Sequence, residues 1–153
     1  MTADATAPRK VQDVRELLEA ADLMAVRYYQ VAGRRVEDEV AQGDSGPESP
    51  PDFQVSVSSE HDRLEVRVLM SVTNTEAELV AEVGMLYEFS EPVDAPPPVV
   101  AEFIERVAIM AAFPFVREAI FSSASRLGVK TPVLGLLRAG EVHVAPPEAG
   151  VQG

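Results

Sequence analysis

Side chains that serve as acids, bases, nucleophiles or metal ligands are sparse in this sequence and lie far apart. His61 and His143 are separated by most of the chain and lack the spacing of metal ligands. Arg117 and Glu118 are adjacent, so they point apart on a helix and cannot act as a pair. The serines near Ser122 have no base close to them in sequence, and no glycine-rich phosphate loop is present. We therefore expect no enzyme and no cofactor or metal, and we look for recognition chemistry instead.

Length and composition fit one globular domain. The chain has 153 residues, of which 46% are hydrophobic, enough for a real core. It contains no cysteine, which excludes disulfides and thiolate metal sites and suits a reducing compartment, so we expect a cytoplasmic location. The sequence has no apolar run of about 18 residues and its start does not resemble a signal peptide, so we expect no membrane insertion.

The balance of charge is strongly acidic, with 13 basic residues against 25 acidic ones and a net charge of −12. Such a surface repels polyanions, so nucleic acid and anionic membranes are poor partners. It suits a basic partner protein, although solubility alone also accounts for an acidic surface.

The pattern of the chain predicts a single domain over residues 10–137, with a disordered N-terminus at 1–9 and a flexible tail at 138–153. Apolar residues between Val11 and Ala21 recur at helical spacing and predict a short amphipathic helix. A strand rich in β-favouring residues follows from Leu23 to Glu37. Residues 37–52 are acidic and rich in Gly, Ser and Pro, which predicts a flexible crossover loop.

Three further segments alternate apolar and polar side chains with period two, beginning near Phe53, Leu64 and Leu79. Short breaks between them predict antiparallel hairpins. One face of this sheet is apolar throughout and must be covered. The other is mostly polar, but three apolar residues interrupt it. They are either incidental or form a client-binding patch: Leu69, Val80 and Leu86.

The segment after the prolines near Pro96 supplies the cover. An apolar helical stripe runs from Val99 to Val107, and a second helix is expected to begin at Pro114, where a missing N–H costs nothing, and to end at Gly128. This second helix is apolar on more than one side, which predicts burial against a second subunit. The residues assigned to this oligomer interface and helix motif are Phe113, Pro114, Phe115, Arg117, Glu118 and Ile120.

These motifs together resemble the SecB family of export chaperones. The helix opening Phe-Pro-Phe-Val-Arg-Glu-Ala-Ile at Phe113 is similar to the family's Phe-Pro-Tyr-Ala-Arg-Glu. Val80-Ala-Glu-Val83 is similar to the family's Leu-Cys-Glu-Val, and the extended stretch from Lys130 to Leu136 also fits. The resemblance spans about Met24 to Leu136. It implies an α+β fold, in which a four-stranded antiparallel β-meander is covered on one face by a long C-terminal helix, with the N-terminal helix as an extra element.

The resemblance also implies a function. Proteins of this family bind non-native polypeptides in apolar surface grooves without ATP, form a dimer of dimers and deliver clients to the motor SecA. Val80 and Glu82 occupy the positions that contact the basic tail of SecA, whereas Ala32 stands where the family has an acidic residue. The crossover also lacks the family's aromatics, and no helix is expected after Leu137. A chaperone of an antitoxin in a toxin–antitoxin–chaperone system, or a module that recognises one folded partner, are the alternatives.

Overall fold

The computed structural model describes residues 7–36, 50–60, 62–134 and 142. The elements in chain order are β1 (Arg9–Lys10), α1 (Val14–Ala20), β2 (Ala21–Arg35), β3 (Asp52–Glu60), β4 (Arg63–Thr73), β5 (Ala77–Phe89), β6 (Val93–Asp94), α2 (Pro97–Phe103), a π-helical turn (Ile104–Ala108) and α3 (Ile109–Leu127).

The central sheet has four antiparallel strands in the order β2-β5-β4-β3. The last three strands form the expected meander, with tight connections between them. The meander does not extend to β2, which pairs with β5 instead of with its sequence neighbour β3. The residues between Arg35 and Asp52 are too many for a hairpin, so this connection does not force the two strands to be adjacent. The α+β fold predicted from the sequence is confirmed, with this change in the position of the first strand.

Alternation along the strands puts one face of the sheet into the core. On β4 and β5 every second side chain is buried, from Leu64 to Val72 and from Ala77 to Tyr87. Phe103 of α2 packs edge-on against Tyr87 at one end, with ring centroids 5.1 Å apart. Leu127 of α3 lies over Gly33 of β2 at the other end, so close that a Cβ there would be 3.0 Å from Leu127 Cδ1. The helix therefore runs along the length of the sheet.

The covering helix is continuous from Pro97 to Leu127, because α2, the π-helical turn and α3 follow without a gap. The prediction that Pro114 begins a new helix is wrong, since Pro114 lies inside α3. Pro114 is exposed, so the carbonyl freed by its missing N–H can be hydrated. Side chains buried on the opposite side of α3 hold this segment helical: Ile109, Ala112, Val116, Ala119, Ile120 and Ala124.

Both ends of this helix are defined by local chemistry. Pro97 occupies the first turn of α2, where no N–H is needed. Gly128 ends α3 as predicted, with the left-handed φ of 69° that glycine adopts at little cost. Arg35 Nη1 also donates a 2.9 Å hydrogen bond to the carbonyl of Leu127, which ties the end of the helix to β2.

The N-terminal segment lies at the end of the sheet opposite to the one that Leu127 covers. Arg9, the last residue of the predicted N-terminal segment, lies in β1, which pairs in parallel with β6. The predicted N-terminal helix is present as α1, where the Asp13 carboxylate accepts a 2.9 Å hydrogen bond from the Glu16 N–H. Val11 and Leu17 from this segment are buried in the core.

Beyond α3 the chain continues without regular structure to Leu134, which is buried, and Val142 packs against the core. The rest of the predicted tail and residues 37–49 of the predicted crossover lie outside the described residues. Within the described part of the chain, no helix has the length and apolar character required to cross a membrane.

Candidate functional site

The face of the sheet that points away from α3, called the outer face below, carries the apolar patch and the motif predicted from the sequence. Leu69 of β4 lies opposite Glu82 of β5, and Leu86 lies opposite Glu65. Val80, two residues before Glu82, lies between Ser71 of β4 and Ala32 of β2. All three predicted patch residues are half-buried. The structure therefore brings Val80, Glu82 and Leu69 together on one face.

Arg67 divides this predicted patch. It lies on β4 between Leu69 and the residue opposite Leu86, so Leu86 is separated from the other two apolar residues. Its Nε and Nη2 both contact Glu82 Oε1, each at 2.8 Å. The carboxylate that the family motif offers to a basic partner is therefore already paired within the chain.

Tyr29 reaches the outer face through an irregularity of β2. The register with β5 shifts at Met24 and again at Tyr29, so both residues lie in bulges. The ring of Tyr29 lies across Gly84, where a Cβ would come within 2.6 Å of Tyr29 Cε2. Its hydroxyl donates a hydrogen bond to Glu65 Oε1. The Arg67 guanidinium lies over the same ring, with its Cζ 3.7 Å from the ring centroid.

The second oxygen of Glu65 is also engaged, because Arg27 Nη1 lies 3.3 Å from Glu65 Oε2. The pKa of the Arg27 guanidinium is raised, chiefly by a hydrogen bond with Tyr29 and further by the nearby charge of Glu65. Like any guanidinium, Arg27 is a cation at every physiological pH. The cluster of Arg27, Tyr29, Glu65, Arg67 and Glu82 is called the Tyr29 cluster below.

A second feature, the β2 stripe, is the row of Leu23, Tyr28 and Val31 on the helix-facing side of the edge strand. The strand register places Tyr28 opposite Val83, whose side chain is buried. The three stripe residues are nevertheless 48–50% exposed, because α3 does not cover this edge along its full length. Tyr28 and Tyr29 face opposite sides of the sheet, and neither belongs to the core.

Sequence reasoning missed this stripe as a functional surface. The available signal was the run of apolar residues from Leu23 to Val31, which is too dense for a strand with one wet face. Within the described part of the chain, strand β2 also has a free edge, because it ends the sheet order. An edge strand that exposes apolar side chains and unpaired backbone groups can pair with a strand of another polypeptide.

The helix motif is divided between the core and the surface. Ile120 is fully buried against the sheet of its own chain, so its prediction as an oligomer contact is corrected to a core role. Phe115 is 38% exposed and Glu118 is exposed, whereas Phe113 is half-buried. Arg117 lies over the ring of Phe121 one turn later, with its Cζ 5.1 Å from the ring centroid.

These surface residues border a groove of about 750 Å³ on the outer side of α3. It combines two half-buried phenylalanines with charged and small polar side chains. Its lining residues are Phe113, Pro114, Arg117, Glu118, Phe121, Ser122, Ser125 and Arg126. The small serines leave room for a second helix to approach closely.

No cluster of three or more His, Asp or Glu side chains with the geometry of a metal site occurs among the residues that the structure describes. His61 and His143 themselves lie outside the described residues. The surfaces found are therefore suited to recognition, with apolar, aromatic and guanidinium groups as the available chemistry.

Similarity to known proteins also agrees with recognition chemistry. No protein-family model matches the chain. The SecB-like chaperone SmegB of Mycolicibacterium smegmatis is 33% identical to it over 133 residues, an alignment that covers 87% of this chain and 86% of that relative.

Two solved structures share the fold. A SecB-like chaperone of Mycobacterium tuberculosis, in complex with a ChAD peptide from the HigA1 antitoxin, superposes with a TM-score of 0.64 at 15% identity, over 81% of this chain and 92% of that one. A protein of unknown function from Streptococcus agalactiae gives a TM-score of 0.52 at 8% identity, over 76% of this chain and 97% of that one.

Proposed function

The chain belongs to the SecB-like chaperones, and from that premise we propose that it binds non-native polypeptides on apolar surfaces without ATP. The observation that carries the proposal is its 33% identity to a SecB-like chaperone across most of both chains. Apolar area removed from water contributes about 25 cal/mol per Å². A surface that covers several apolar side chains of a client can therefore bind it reversibly and without sequence specificity.

Leu69, Val80 and Leu86 are the proposed client contacts. Their support is a shared face of the sheet and partial exposure next to charged residues that keep the face soluble. Because Arg67 separates Leu86 from the other two, we expect the face to contact two short apolar stretches of a client rather than one continuous stretch.

An aggregation assay with an unrelated, chemically unfolded protein tests the chaperone function. We expect suppression of light scattering at stoichiometric ratios. Leu69→Ser combined with Leu86→Ser should reduce the suppression, whereas Val133→Ser, at an 89% exposed residue in the segment after α3, should not. Absence of suppression by the unmodified protein would reject the general chaperone function. Equal suppression by all variants would reject only the placement of the client contacts.

Delivery of clients to SecA through Val80 and Glu82 stays a prediction. Arg67 engages one oxygen of Glu82, so a basic tail must compete with Arg67 for that carboxylate. If Glu82→Arg leaves binding of the SecA tail unchanged, or if the unmodified protein does not bind it, the export role is lost. The chaperone function would survive either result.

A client of the antitoxin type is the second candidate. It is supported by the structurally similar chaperone of Mycobacterium tuberculosis, which is described in complex with an antitoxin peptide. Ala32 beside Val80 also lacks the acidic group that the resemblance to export chaperones leads one to expect. A toxin–antitoxin pair beside the gene would select this role. A module that recognises one folded partner remains the alternative if unfolded proteins are not bound.

The proposal includes a homo-oligomer, a dimer of dimers, in the cytoplasm. Two surfaces support two kinds of contact between copies. The β2 stripe lies at a free strand edge, which suits antiparallel pairing with the same strand of a second copy. The α3 groove, with Phe115 at 38% exposure, suits helix packing.

A further inference from the structure

Arginine–glutamate pairs occupy much of the outer face, which also carries exposed carboxylates near strand ends, those of Asp22, Asp52 and Glu60. Four arginine–glutamate pairs cross this face within the described part of the chain: Arg27–Glu65, Arg34–Glu78, Arg63–Glu88 and Arg67–Glu82. In every pair the arginine side chain is the more exposed member, with exposures of 52%, 73%, 53% and 37% against 13%, 41%, 37% and 17%. Within these four pairs the carboxylates are therefore less accessible than the guanidiniums, on a chain whose net charge is −12.

Within the Tyr29 cluster the carboxylates use a larger share of their hydrogen-bond acceptors than the guanidiniums use of their donors. Glu65 accepts from Tyr29 on one oxygen and from Arg27 on the other, and Glu82 receives both contacts of Arg67 on one oxygen. A guanidinium has five N–H donors in a planar fork, so Arg67 and Arg27 retain donors for a further acceptor.

Apolar surface lies directly beside these donors. Leu69 is two residues from Arg67 on β4 and on the same face, and the Tyr29 ring is 41% exposed beneath the Arg67 guanidinium. An extended polypeptide that carries carboxylates next to large apolar side chains would match both kinds of group at once.

We propose that the outer face docks an acidic segment of a partner polypeptide, whose carboxylates bind Arg27 and Arg67 and whose apolar side chains contact Tyr29 and Leu69. The chain repels such a segment at long range through its net charge, but at 0.15 M salt this repulsion extends only about 8 Å. Hydrogen bonds from Arg27 and Arg67 to the carboxylates of the segment form well within this range of about 8 Å. This charge preference is the opposite of the one that a basic SecA tail requires, so the two can be separated by experiment.

Three fluorescein-labelled 12-residue peptides with leucine at every second position serve as probes. The intervening positions are Glu in the first, Lys in the second and Ser in the third. We expect fluorescence anisotropy at 0.15 M salt to show that the full chain binds the Glu peptide at least tenfold more tightly than the Lys peptide. Tighter binding of the Lys peptide, or equal binding of all three, would overturn the proposal.

Paired variants test the residues involved. Arg67→Gln should weaken binding of the Glu peptide about tenfold, whereas Arg63→Gln, with the same change in charge, should weaken it less than threefold. Glu82→Gln releases Arg67 from its partner and should tighten binding severalfold more than Glu88→Gln. A general effect of charge would make the two members of each comparison equal and would contradict the proposal. If Arg67→Gln does not fold, the comparison of Glu82→Gln with Glu88→Gln decides.

The same variants in the aggregation assay separate this inference from the chaperone function. Arg67→Gln and Glu82→Gln should leave suppression of aggregation of an unrelated client within twofold. If the unmodified chain suppresses aggregation but does not prefer the Glu peptide, the acidic-segment site alone is rejected. If the unmodified chain does not suppress aggregation, the proposed function is rejected.

Discussion

Gly84 permits the arrangement of the Tyr29 cluster, because the aromatic ring occupies the space of the missing side chain. A Cβ at this position would be 2.6 Å from Tyr29 Cε2 and 3.4 Å from Arg67 Cγ. The bulge at Tyr29 and Gly84 on the neighbouring strand β5 are therefore two halves of one feature. Together they place an aromatic ring beneath a guanidinium, on a face that also carries ion pairs and the apolar patch.

We predict that Gly84→Ala displaces the Tyr29 ring and lowers the free energy of unfolding by about 1–3 kcal/mol, the usual cost of overpacking. Urea denaturation measures it. In a Tyr29→Ala background the same substitution should cost less than about 0.5 kcal/mol, since alanine has no ring to clash with and suits a strand better than glycine. Equal costs in both backgrounds would show that the ring does not occupy this space.

Tyr87 gives the core a dependence on alkaline pH. Burial raises the pKa of its hydroxyl above the usual 10.0. The folded chain therefore keeps this proton at a pH where the unfolded chain loses it, so the stabilisation is complete below pH 10 and declines as the pH rises further. The free energy of unfolding should fall with pH above 10 more steeply than in Tyr87→Phe, by at most about 1.4 kcal/mol per pH unit. Parallel curves for the two proteins would contradict this.

Pro114 is the feature of α3 whose position differs most from expectation. A proline inside a helix removes one hydrogen bond and crowds the preceding turn, at a cost of about 3 kcal/mol. The local sequence therefore favoured a helix start. The six buried side chains on the opposite side of α3 and the cap at Gly128 override that local preference.

We predict that Pro114→Ala raises the free energy of unfolding of the isolated chain by about 1–3 kcal/mol, because the hydrogen bond is restored on an exposed side. Pro97→Ala, at the start of α2, is the matched control and should change it by less than about 0.5 kcal/mol. Denaturant unfolding with matched slopes measures both. An unchanged or lower stability for Pro114→Ala would show that the proline shapes the helix to the benefit of the fold.

The sequence allowed the strands to be identified because alternation with period two directly reports a half-buried strand. Strand β4, Arg63–Thr73, begins one residue before its predicted start at Leu64. Alternation identifies the face of a side chain but not the neighbouring strand, so the pairing of β2 with β5 was not predictable. The bulge that turns Tyr29 outward was hidden for the same reason, since it depends on the register between the two strands.

The site was less predictable than the fold. Leu69, Val80 and Leu86 share a face, as their alternation indicated, but Arg67 stands between them. The partners of Arg67 and Arg27 lie 15 and 38 residues away along the chain. Which glutamate each arginine selects is determined by strand register, and no local pattern contains that information. Family resemblance supplied Glu82 as a contact without showing that its carboxylate is already occupied.

At the scale of the whole molecule, the isolated chain leaves two apolar surfaces open. The β2 stripe combines exposed side chains with a free strand edge, and a second such strand would satisfy both. A contact between identical strands about a two-fold axis closes on itself, so it yields a dimer and not a fibre. The α3 groove lies on a different element, and contacts there would join two such dimers.

We predict that Phe115→Asp separates the assembly at the α3 groove, because a carboxylate would replace a partly exposed ring and lose its hydration on burial. Multi-angle light scattering at micromolar concentration should show the unmodified chain as a tetramer and Phe115→Asp as a dimer. Tyr28→Ser combined with Val31→Ser should weaken the contact at the other surface, whereas Val133→Ser, exposed and outside both surfaces, should leave the mass unchanged. A monomeric unmodified protein would show that neither surface joins copies, and both would then be open to clients.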